Sequence, residues 1–336
     1  MTALAVTNPT LLDVAKRTDP DGKIASIVEL LNATNPILTD MSWMEGNLPT
    51  GHRSTVRTGL PAPTWRKLYG GVQPTKSTTA QVTDSCGMLE AYAEVDKALA
   101  DLNGNASAFR LSEDRAHIEG LSQEMASTLF YGNEKTEAEA FTGLAPRYNS
   151  LSAQNADNII DAGGSSTDNT SIWLAVWGPN SGHGIYPKGS QGGLQQKDLG
   201  EVTADAAGGG YFQAYRSHYR WDAGVTIRDW RYFVRIANID VGALTTEGTA
   251  ADRATAQKAL INLMVGATER IPNLGAGRPV FYLNRKIREA LRFGILEKIS
   301  NNLTWETVEG KRVLTFDDII VQRTDALVNN ESRVVA

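Results

Sequence analysis

The chain has 336 residues, about twice the usual length of a single domain, so two or three structural units are expected. Its 41% hydrophobic and 21% charged residues exclude a wholly disordered, collagen-like or coiled-coil protein. With 33 basic and 38 acidic residues the net charge is −5, so no global field would hold a polyanion tightly.

The first 40 residues are predicted to form an arm followed by a short helix. Residues 1–20 carry one small apolar patch between two proline-containing turns, which is too little to bury alone, so we expect this stretch to pack elsewhere. In residues 21–32 apolar side chains recur at helical spacing, and a proline follows soon after, which predicts a helix.

Residues 41–90 are predicted to form an extended loop. Segment 51–80 has five basic residues and no acidic one, and threonine and valine recur there between prolines and glycines, as in a two-stranded ribbon with irregular turns. A lone ribbon is marginally stable in water, so we expect it to lie on another protein surface. The candidate contact residues are Arg53, Arg57, Arg66, Lys67 and Lys76.

A long helix is predicted over residues 112–131. Ser112 is a suitable N-cap, and Glu113 and Asp114 follow it near the positive end of the helix dipole. Gly132 is expected to end the helix in the left-handed conformation. At about 1.5 Å per residue the helix is roughly 28 Å long, enough to act as a spine across a domain.

The second half of the chain is predicted to alternate strands and helices. Residues 152–210 are rich in glycine, serine and asparagine, which indicates loops around one apolar strand over 171–177. Half-buried antiparallel strands are expected over 211–221 and 225–241, where apolar and arginine positions alternate in the second strand. A hairpin is expected over 303–308 and 313–321.

Two further helices have recognisable N-termini. Thr249 with Asp252 three residues later resembles a capping box, and an amphipathic stretch follows. Asn284 comes directly after a predicted strand over 279–283 and is expected to cap the next helix.

Between residues 211 and 235 arginines interleave with aromatic side chains, which would suit either nucleic-acid binding or a protein interface. Because Asp222 and Asp229 dilute the positive charge and the whole chain is acidic, we favour contacts with a neighbouring subunit. The candidate residues are Arg216, Arg220, Arg231 and Arg235.

No catalytic, cofactor-binding or metal-binding site is predicted. The four histidines show no metal-ligand spacing, no serine lies in a G-x-S-x-G motif, and Ser190 stands where a phosphate loop needs lysine. Asp317 and Asp318 are expected to be solvated turn carboxylates, because adjacent strand residues face opposite sides. Several tryptophans lie in apolar runs and are better explained as core residues than as a sugar-binding platform.

The cellular setting is inferred from cysteine usage and hydropathy. The single cysteine, Cys86, excludes an intramolecular disulfide and a thiolate-cage zinc site, fits a reducing compartment, and is expected to be a buried, inert thiol. Neither a secretory signal nor a span of about 20 apolar residues is present, so we expect neither export by that route nor a membrane-spanning segment.

Several local patterns together resemble the major capsid protein family of tailed bacteriophages, and the resemblance runs in order from about residue 12 to the end. These patterns are Leu129-Phe130-Tyr131-Gly132-Asn133, Phe141-Thr142-Gly143-Leu144-Ala145-Pro146-Arg147-Tyr148, Trp177-Gly178, His183-Gly184-Ile185-Tyr186-Pro187-Lys188-Gly189, Arg220-Trp221-Asp222-Ala223-Gly224, residues 278–291, and Leu314-Thr315-Phe316 to Asp325-Ala326-Leu327. One departure is Phe316-Asp317-Asp318-Ile319-Ile320, where such sequences commonly read Phe-x-Gly-Ile-Pro, so the turn geometry there is expected to differ.

The resemblance implies an α+β fold shared by phage coat proteins and encapsulins. It implies an N-terminal arm and short helix (1–40), an extended β-hairpin loop (41–90), a peripheral domain (91–210 and 301–336) with the spine helix 112–131, and an axial domain (211–300). Covalent crosslinking between subunits, known in some members, is not carried over, because no position here matches a crosslinking motif.

The function that the resemblance implies is structural. Hexamers and pentamers would assemble, in the host bacterial cytoplasm, into the icosahedral shell of a virion around double-stranded DNA that is contacted only weakly. Scaffolding, portal and decoration proteins are candidate partners, and neither a cofactor nor a membrane is expected. The alternatives are an encapsulin-like compartment, a nucleic-acid or glycan-binding module on the 211–235 strands, and, third, an enzyme.

Overall fold

The computed structural model describes residues 35–102, 106–206, 209–246, 248–296, 303–308 and 311–336. The predicted helix over 21–32 and most of the predicted arm lie outside these ranges. The described residues form a five-stranded sheet, a seven-stranded sheet, a two-stranded ribbon and six α-helices.

The strands and helices are numbered in chain order. The strands are β1 (Trp43–Glu45), β2 (Gly51–Gly59), β3 (Thr78–Ser85), β4 (Gly87–Asp96), β5 (Ile159–Asp161), β6 (Asn169–Trp177), β7 (Gly182–Tyr186), β8 (Gln195–Asp205), β9 (Tyr211–Ile227), β10 (Phe233–Asp240), β11 (Arg278–Leu283), β12 (Leu303–Val308), β13 (Lys311–Phe316) and β14 (Ile319–Arg323). The helices are α1 (Ile37–Asp40), α2 (Lys97–Asp101), α3 (Ala106–Tyr131), α4 (Val241–Thr245), α5 (Ala250–Glu269) and α6 (Arg285–Leu296).

The five-stranded sheet is organised around β9, its longest strand. β4 pairs antiparallel with β9 along one edge, while β8 and β7 pair with successive parts of its other edge. β1 then adds to β7 in parallel. The predicted strands over 211–221 and the start of 225–241 are therefore parts of one continuous strand, and β7 and β8 are strands that the glycine-rich composition concealed.

The seven-stranded sheet has the order β12-β13-β14-β11-β6-β10-β5, and its strand β6 is buried on both faces. Alternate residues of β6 enter different cores, as the period of two in a strand requires. Leu174 and Val176 pack with apolar side chains of α4, α5 and α6. Trp173 and Trp177 pack with the apolar face of α3. This central sheet therefore joins the two main cores of the molecule.

The second strand, predicted over 225–241 to be half-buried, is in fact buried on both faces where it forms β10. Residues 228–232 lie outside the sheet, and Asp229 there accepts a hydrogen bond from the Arg231 backbone N–H at 3.1 Å. In β10, Val234 and Arg235 point to opposite faces, yet both are buried. The alternation was read correctly as a strand, but the arginine position is an interior one.

The spine helix α3 is longer than predicted. It begins at Ala106 rather than at Ser112, because Phe109 is buried against Val95 and extends the helix into a small satellite core. Gly132 does not adopt a positive φ, so the predicted left-handed stop is wrong. A Cβ there would lie 2.6 Å from the Phe141 carbonyl oxygen, so close backbone approach explains the glycine.

The predicted helix caps and the pairing of the C-terminal hairpin strands are present, with one change. Thr249 and Asp252 form a reciprocal capping box, and the Asn284 side chain accepts from the Ile287 N–H at 2.9 Å. The predicted strand over 313–321 is divided into β13 and β14 by Asp317 and Asp318. Both aspartates are exposed and have positive φ values of 47° and 65°, as a two-residue hairpin turn requires.

Candidate interaction surfaces

The predicted loop is an antiparallel ribbon of β2 and β3 that leaves the body of the molecule. Its register runs from Gly51 opposite Ser85 to Gly59 opposite Thr78. Arg53 Nε donates to Thr83 Oγ1 across the ribbon at 3.1 Å. All five basic residues predicted to make contacts, Arg53, Arg57, Arg66, Lys67 and Lys76, are exposed to solvent. The structure therefore places them where another molecule has access to them.

The loop tip, defined as residues 60–77, carries large apolar side chains that no described part of the same chain covers. Trp65 and Tyr69 are fully exposed, and Leu60 and Leu68 are 80% and 87% exposed. The prediction from charge alone missed these residues. Their signal was the presence of several large apolar side chains, Val72 among them, in a segment with no capacity to bury them.

The base of the loop is held firmly by a buried carboxylate. Asp84 Oδ1 accepts from Arg147 Nη1 at 2.8 Å, and Asp84 Oδ2 accepts from Thr226 Oγ1 at 2.5 Å. Arg147 also donates to the backbone carbonyls of Thr142, Gly143 and Val225. The ribbon is thus anchored to β9 and to the segment after α3, although its tip is uncovered.

Two histidines are packed beside this anchor. His52 and His183 are buried, with ring centroids 5.9 Å apart, and Arg228 Nη2 lies 3.3 Å from His52 Nε2. Burial, followed by the positive charge of Arg228 and by the neighbouring imidazole of His52, lowers the pKa of His183 to about 4. Burial likewise raises the pKa of the half-buried Cys86 thiol to about 12. These groups are therefore neutral at pH 7 and suit packing rather than proton transfer.

All four arginines predicted on the axial strands have acidic partners in the same chain, and three of these pairs are partly exposed to solvent. Arg216 Nε donates to Glu94 at 2.7 Å, and Arg220 Nη2 lies 2.8 Å from Asp222. Arg231 Nη2 lies 2.7 Å from Asp229. The nucleic-acid or glycan platform gains no support, because the charges are compensated and Trp221 is buried. Their role as subunit contacts stays a prediction.

Arg235 does not lie on an accessible surface, so the prediction for this residue is wrong. Its Nη2 lies 2.7 Å from Glu331 Oε2, Nε donates to Ser171 and Nη1 donates to the Tyr148 carbonyl. Its guanidinium carbon also lies 5.3 Å from the centre of the Trp173 ring. The partner Glu331 is 96 residues away in sequence, so strand periodicity alone gave no sign of the pairing.

Within the described part of the chain, no group of three or more histidine, cysteine, aspartate or glutamate side chains is arranged to hold a metal ion. No helix in the described ranges is both long enough and apolar enough to span a membrane.

Comparison with known proteins gives the family. The sequence matches the family described as major capsid protein GP7 over residues 19–335. A chain in the structure of bacteriophage epsilon15 is 39% identical, with 100% of both chains covered and a TM-score of 0.75. A comparison with curated protein sequences gives no match.

Two more distant structures are also similar to this chain. The SrpI encapsulin of Synechococcus elongatus PCC 7942 is 12% identical over 72% of this chain and 100% of that chain, with a TM-score of 0.43. The capsid of bacteriophage JBD30 is 8% identical over 79% of this chain and 84% of that chain, also with a TM-score of 0.43.

The family match spans almost the whole sequence, and the epsilon15 match spans all of it with the same fold. The predicted fold class and the structural function are thereby confirmed: the protein is a component of a virion capsid that assembles with copies of itself. The chain belongs to the major capsid protein GP7 family of tailed bacteriophages.

Proposed function

We propose that hexamers and pentamers of this chain form an icosahedral shell around double-stranded DNA, and that the loop tip of each copy docks on its neighbour. The observation that carries the proposal is the fully exposed pair Trp65 and Tyr69 on an acid-free ribbon. The shell is assembled in the host bacterial cytoplasm and performs no catalysis. Scaffolding, portal and decoration proteins are its further partners.

The energetic argument starts from the apolar side chains of the tip. Burying one large apolar side chain stabilises a complex by about 1.5–3 kcal/mol, so the four at the tip offer about 6–12 kcal/mol before ordering costs. The same side chains gain little in the free subunit, because no residue in the described ranges covers them. Assembly is therefore the state in which the tip contributes to stability.

Charge complementarity favours a second copy of the chain as the partner. Segment 51–80 contributes +5 to a net charge of −5, so the remainder carries −5 − 5 = −10. A basic ribbon on an acidic body is attracted to the body of the next copy, and the attraction is weakened by salt.

The receiving surface in this proposal is a groove between β4 and α3. It encloses about 190 Å³ and combines the apolar side chains of Met88, Leu89 and Phe141 with three glutamates, Glu124, Glu137 and Glu139. Met88 is 68% exposed although it is large and apolar. An aromatic side chain followed by two basic residues, as in Trp65-Arg66-Lys67, has the complementary chemistry.

Charge exchange between the two surfaces tests the proposal. The double variant Arg66→Glu, Lys67→Glu and the double variant Glu137→Lys, Glu139→Lys should each give folded subunits that fail to form particles in negative-stain microscopy. The chain carrying all four changes should recover particles, and the conservative Arg66→Lys, Lys67→Arg variant should assemble normally. Normal particles from both charge-reversed doubles would contradict the docking role.

The encapsulin-like compartment is the alternative that shares the fold. The chain at 39% identity comes from a bacteriophage structure, whereas the encapsulin chain is 12% identical, so we favour the phage shell. Nuclease-protected DNA inside particles from infected cells would support this choice, and particles that contain a cargo protein and no DNA would overturn it.

A further inference from the structure

The loop tip contains a β-turn with an unusual residue at its third position. The turn runs from Lys67 to Gly70, and the Gly70 N–H donates to the Lys67 carbonyl at 3.0 Å. Tyr69, the third residue, has a φ of 61°, whereas the φ of Leu68 is not positive. A positive φ at the third position alone is the pattern of a type II turn, where glycine or asparagine normally stands. A tyrosine there is disfavoured by its Cβ.

The sequence offers glycine for this position, yet the turn does not use it. Gly70 and Gly71 follow Tyr69 directly, and neither has a positive φ. A Cβ added to Gly71 would meet no heavy atom of the described residues within 4 Å, so a side chain could stand there. A shift of the turn by one residue would give the left-handed position to Gly70 and relieve the backbone. The chain instead places the tyrosine at the disfavoured position.

The conformation of Tyr69 is not compensated by packing within the described part of the chain. Its side chain is fully exposed, and the neighbouring Leu68 is 87% exposed. A residue in a disfavoured backbone region persists when its surroundings hold it there, and such residues cluster at sites that clamp or recognise a ligand. A fully exposed ring has no such surroundings in the free subunit. The compensating contacts must therefore come from another molecule.

Hydrogen bonds across the tip favour a formed structure over a free coil. Thr58 Oγ1 lies 3.1 Å from Thr78 Oγ1 where the ribbon ends, and Thr75 Oγ1 donates to the Ala62 carbonyl at 3.4 Å. The hydrogen bond within the turn lies beyond them. A binding element that is already ordered loses less conformational entropy on association than a disordered one. The tip can therefore present its ring in one direction before it meets a partner.

We infer that the turn 67–70 is a preformed recognition element that holds the Tyr69 ring in the direction required by the groove of a second copy. The inference rests on the proposed docking of the loop tip and names the residue that sets its fit. A second copy is the partner because that groove combines apolar side chains with glutamates, which suits an aromatic ring close to Arg66 and Lys67. The direction of the ring, and not only the apolar area of the tip, then decides whether two copies fit.

The test exchanges two neighbouring residues of the turn. The variant Tyr69→Gly, Gly70→Tyr keeps the composition and charge of the tip, gives the left-handed position to glycine and moves the ring by one residue. Its critical subunit concentration for particle formation, followed by light scattering, should rise at least tenfold over wild type. The matched control Gly71→Val, Val72→Gly moves an apolar side chain by one residue outside the turn and should assemble within twofold of wild type.

A second measurement tests whether the conformation exists before assembly. The one-bond coupling between Cα and Hα reports the sign of φ, and we would measure it for Tyr69 in free subunits labelled only in tyrosine. The Tyr69→Phe variant identifies the signal. We expect the value of a left-handed residue in the free subunit. A value typical of a negative φ would overturn the inference, because the turn would then adopt its conformation only on docking.

Two assembly results would also overturn the inference. Normal assembly of the Tyr69→Gly, Gly70→Tyr variant would show that apolar area alone governs the contact. An equal rise of the critical concentration in this variant and in the control would show that any rearrangement of the tip has the same effect. Both aromatic rings remain in these variants, so neither result bears on the docking itself. Normal assembly after removal of both rings would instead count against the proposed docking.

Discussion

Arg235 Nη2 lies 2.7 Å from Glu331 Oε2, and each side chain is only 5% exposed. The pair joins β10 to the C-terminal segment, and Tyr131 at the end of α3 donates to Glu331 Oε1 at 2.5 Å. The last residues of the chain are therefore fastened to the central sheet and to the spine helix by one buried carboxylate.

Breaking this pair from either side should be costly. Glu331→Leu leaves the Arg235 charge buried and uncompensated, which we expect to lower the free energy of unfolding by about 3–5 kcal/mol. Arg235→Leu should cost a similar amount. The double variant should cost clearly less than the two single losses combined, as measured by urea unfolding. If the loss in the double variant equalled the sum of the two single losses, the two charges would not stabilise each other.

Stability should fall as the pH is lowered below neutrality, because of the buried His183. Its pKa is about 4 in the folded chain and about 6.5 when unfolded, so below pH 6.5 the unfolded state binds the proton first. Above pH 6.5 His183 does not lower the free energy of unfolding. Between pH 6.5 and pH 4 its titration lowers the free energy of unfolding by up to about 3 kcal/mol. His183→Gln should flatten thermal stability against pH in this window, whereas His117→Gln should not. An unchanged profile in His183→Gln would argue against this origin.

The loop tip should matter for assembly and not for folding. Because Trp65 and Tyr69 bury no surface in their own subunit, Trp65→Ser with Tyr69→Ser should change the free energy of unfolding by less than about 0.5 kcal/mol. The same variant should fail to form particles, while Trp65→Phe with Tyr69→Phe should retain assembly. A large fall in subunit melting temperature for the serine variant would mean that the tip packs on its own chain.

The turn between β13 and β14 should become more stable with glycine. Asp318 has φ of 65°, a region that disfavours side chains other than glycine, asparagine and aspartate. We expect Asp318→Gly to raise the free energy of unfolding by about 0.5 kcal/mol and Asp318→Ala to lower it. Chemical denaturation of both variants would check this, and a more stable alanine variant would exclude strain at this turn.

The sequence predicted features that are set by local chemistry. The ribbon, the capping box at Thr249 and the Asn284 cap follow from turn residues, strand propensity and side-chain hydrogen bonding within a few positions. The fold class came from resemblance over nearly the whole chain. The domain limits remain predictions.

Features set by distant contacts were missed. The start of α3 depends on Phe109 packing against β4. The burial of Arg235 depends on the carboxylate of Glu331, which lies 96 residues later in the chain. The exposed aromatics of the loop tip were not singled out, because apolar side chains are usually taken as buried.

Hydrogen–deuterium exchange of residues 60–77 tests the docking of the loop most directly, with free subunits and assembled particles compared under one buffer condition. The account predicts rapid exchange throughout the tip in the subunit and strong protection in the particle, with β6 protected in both states. Equal exchange of the tip in the two states would contradict the claim that it gains its stabilising contacts from an adjoining copy.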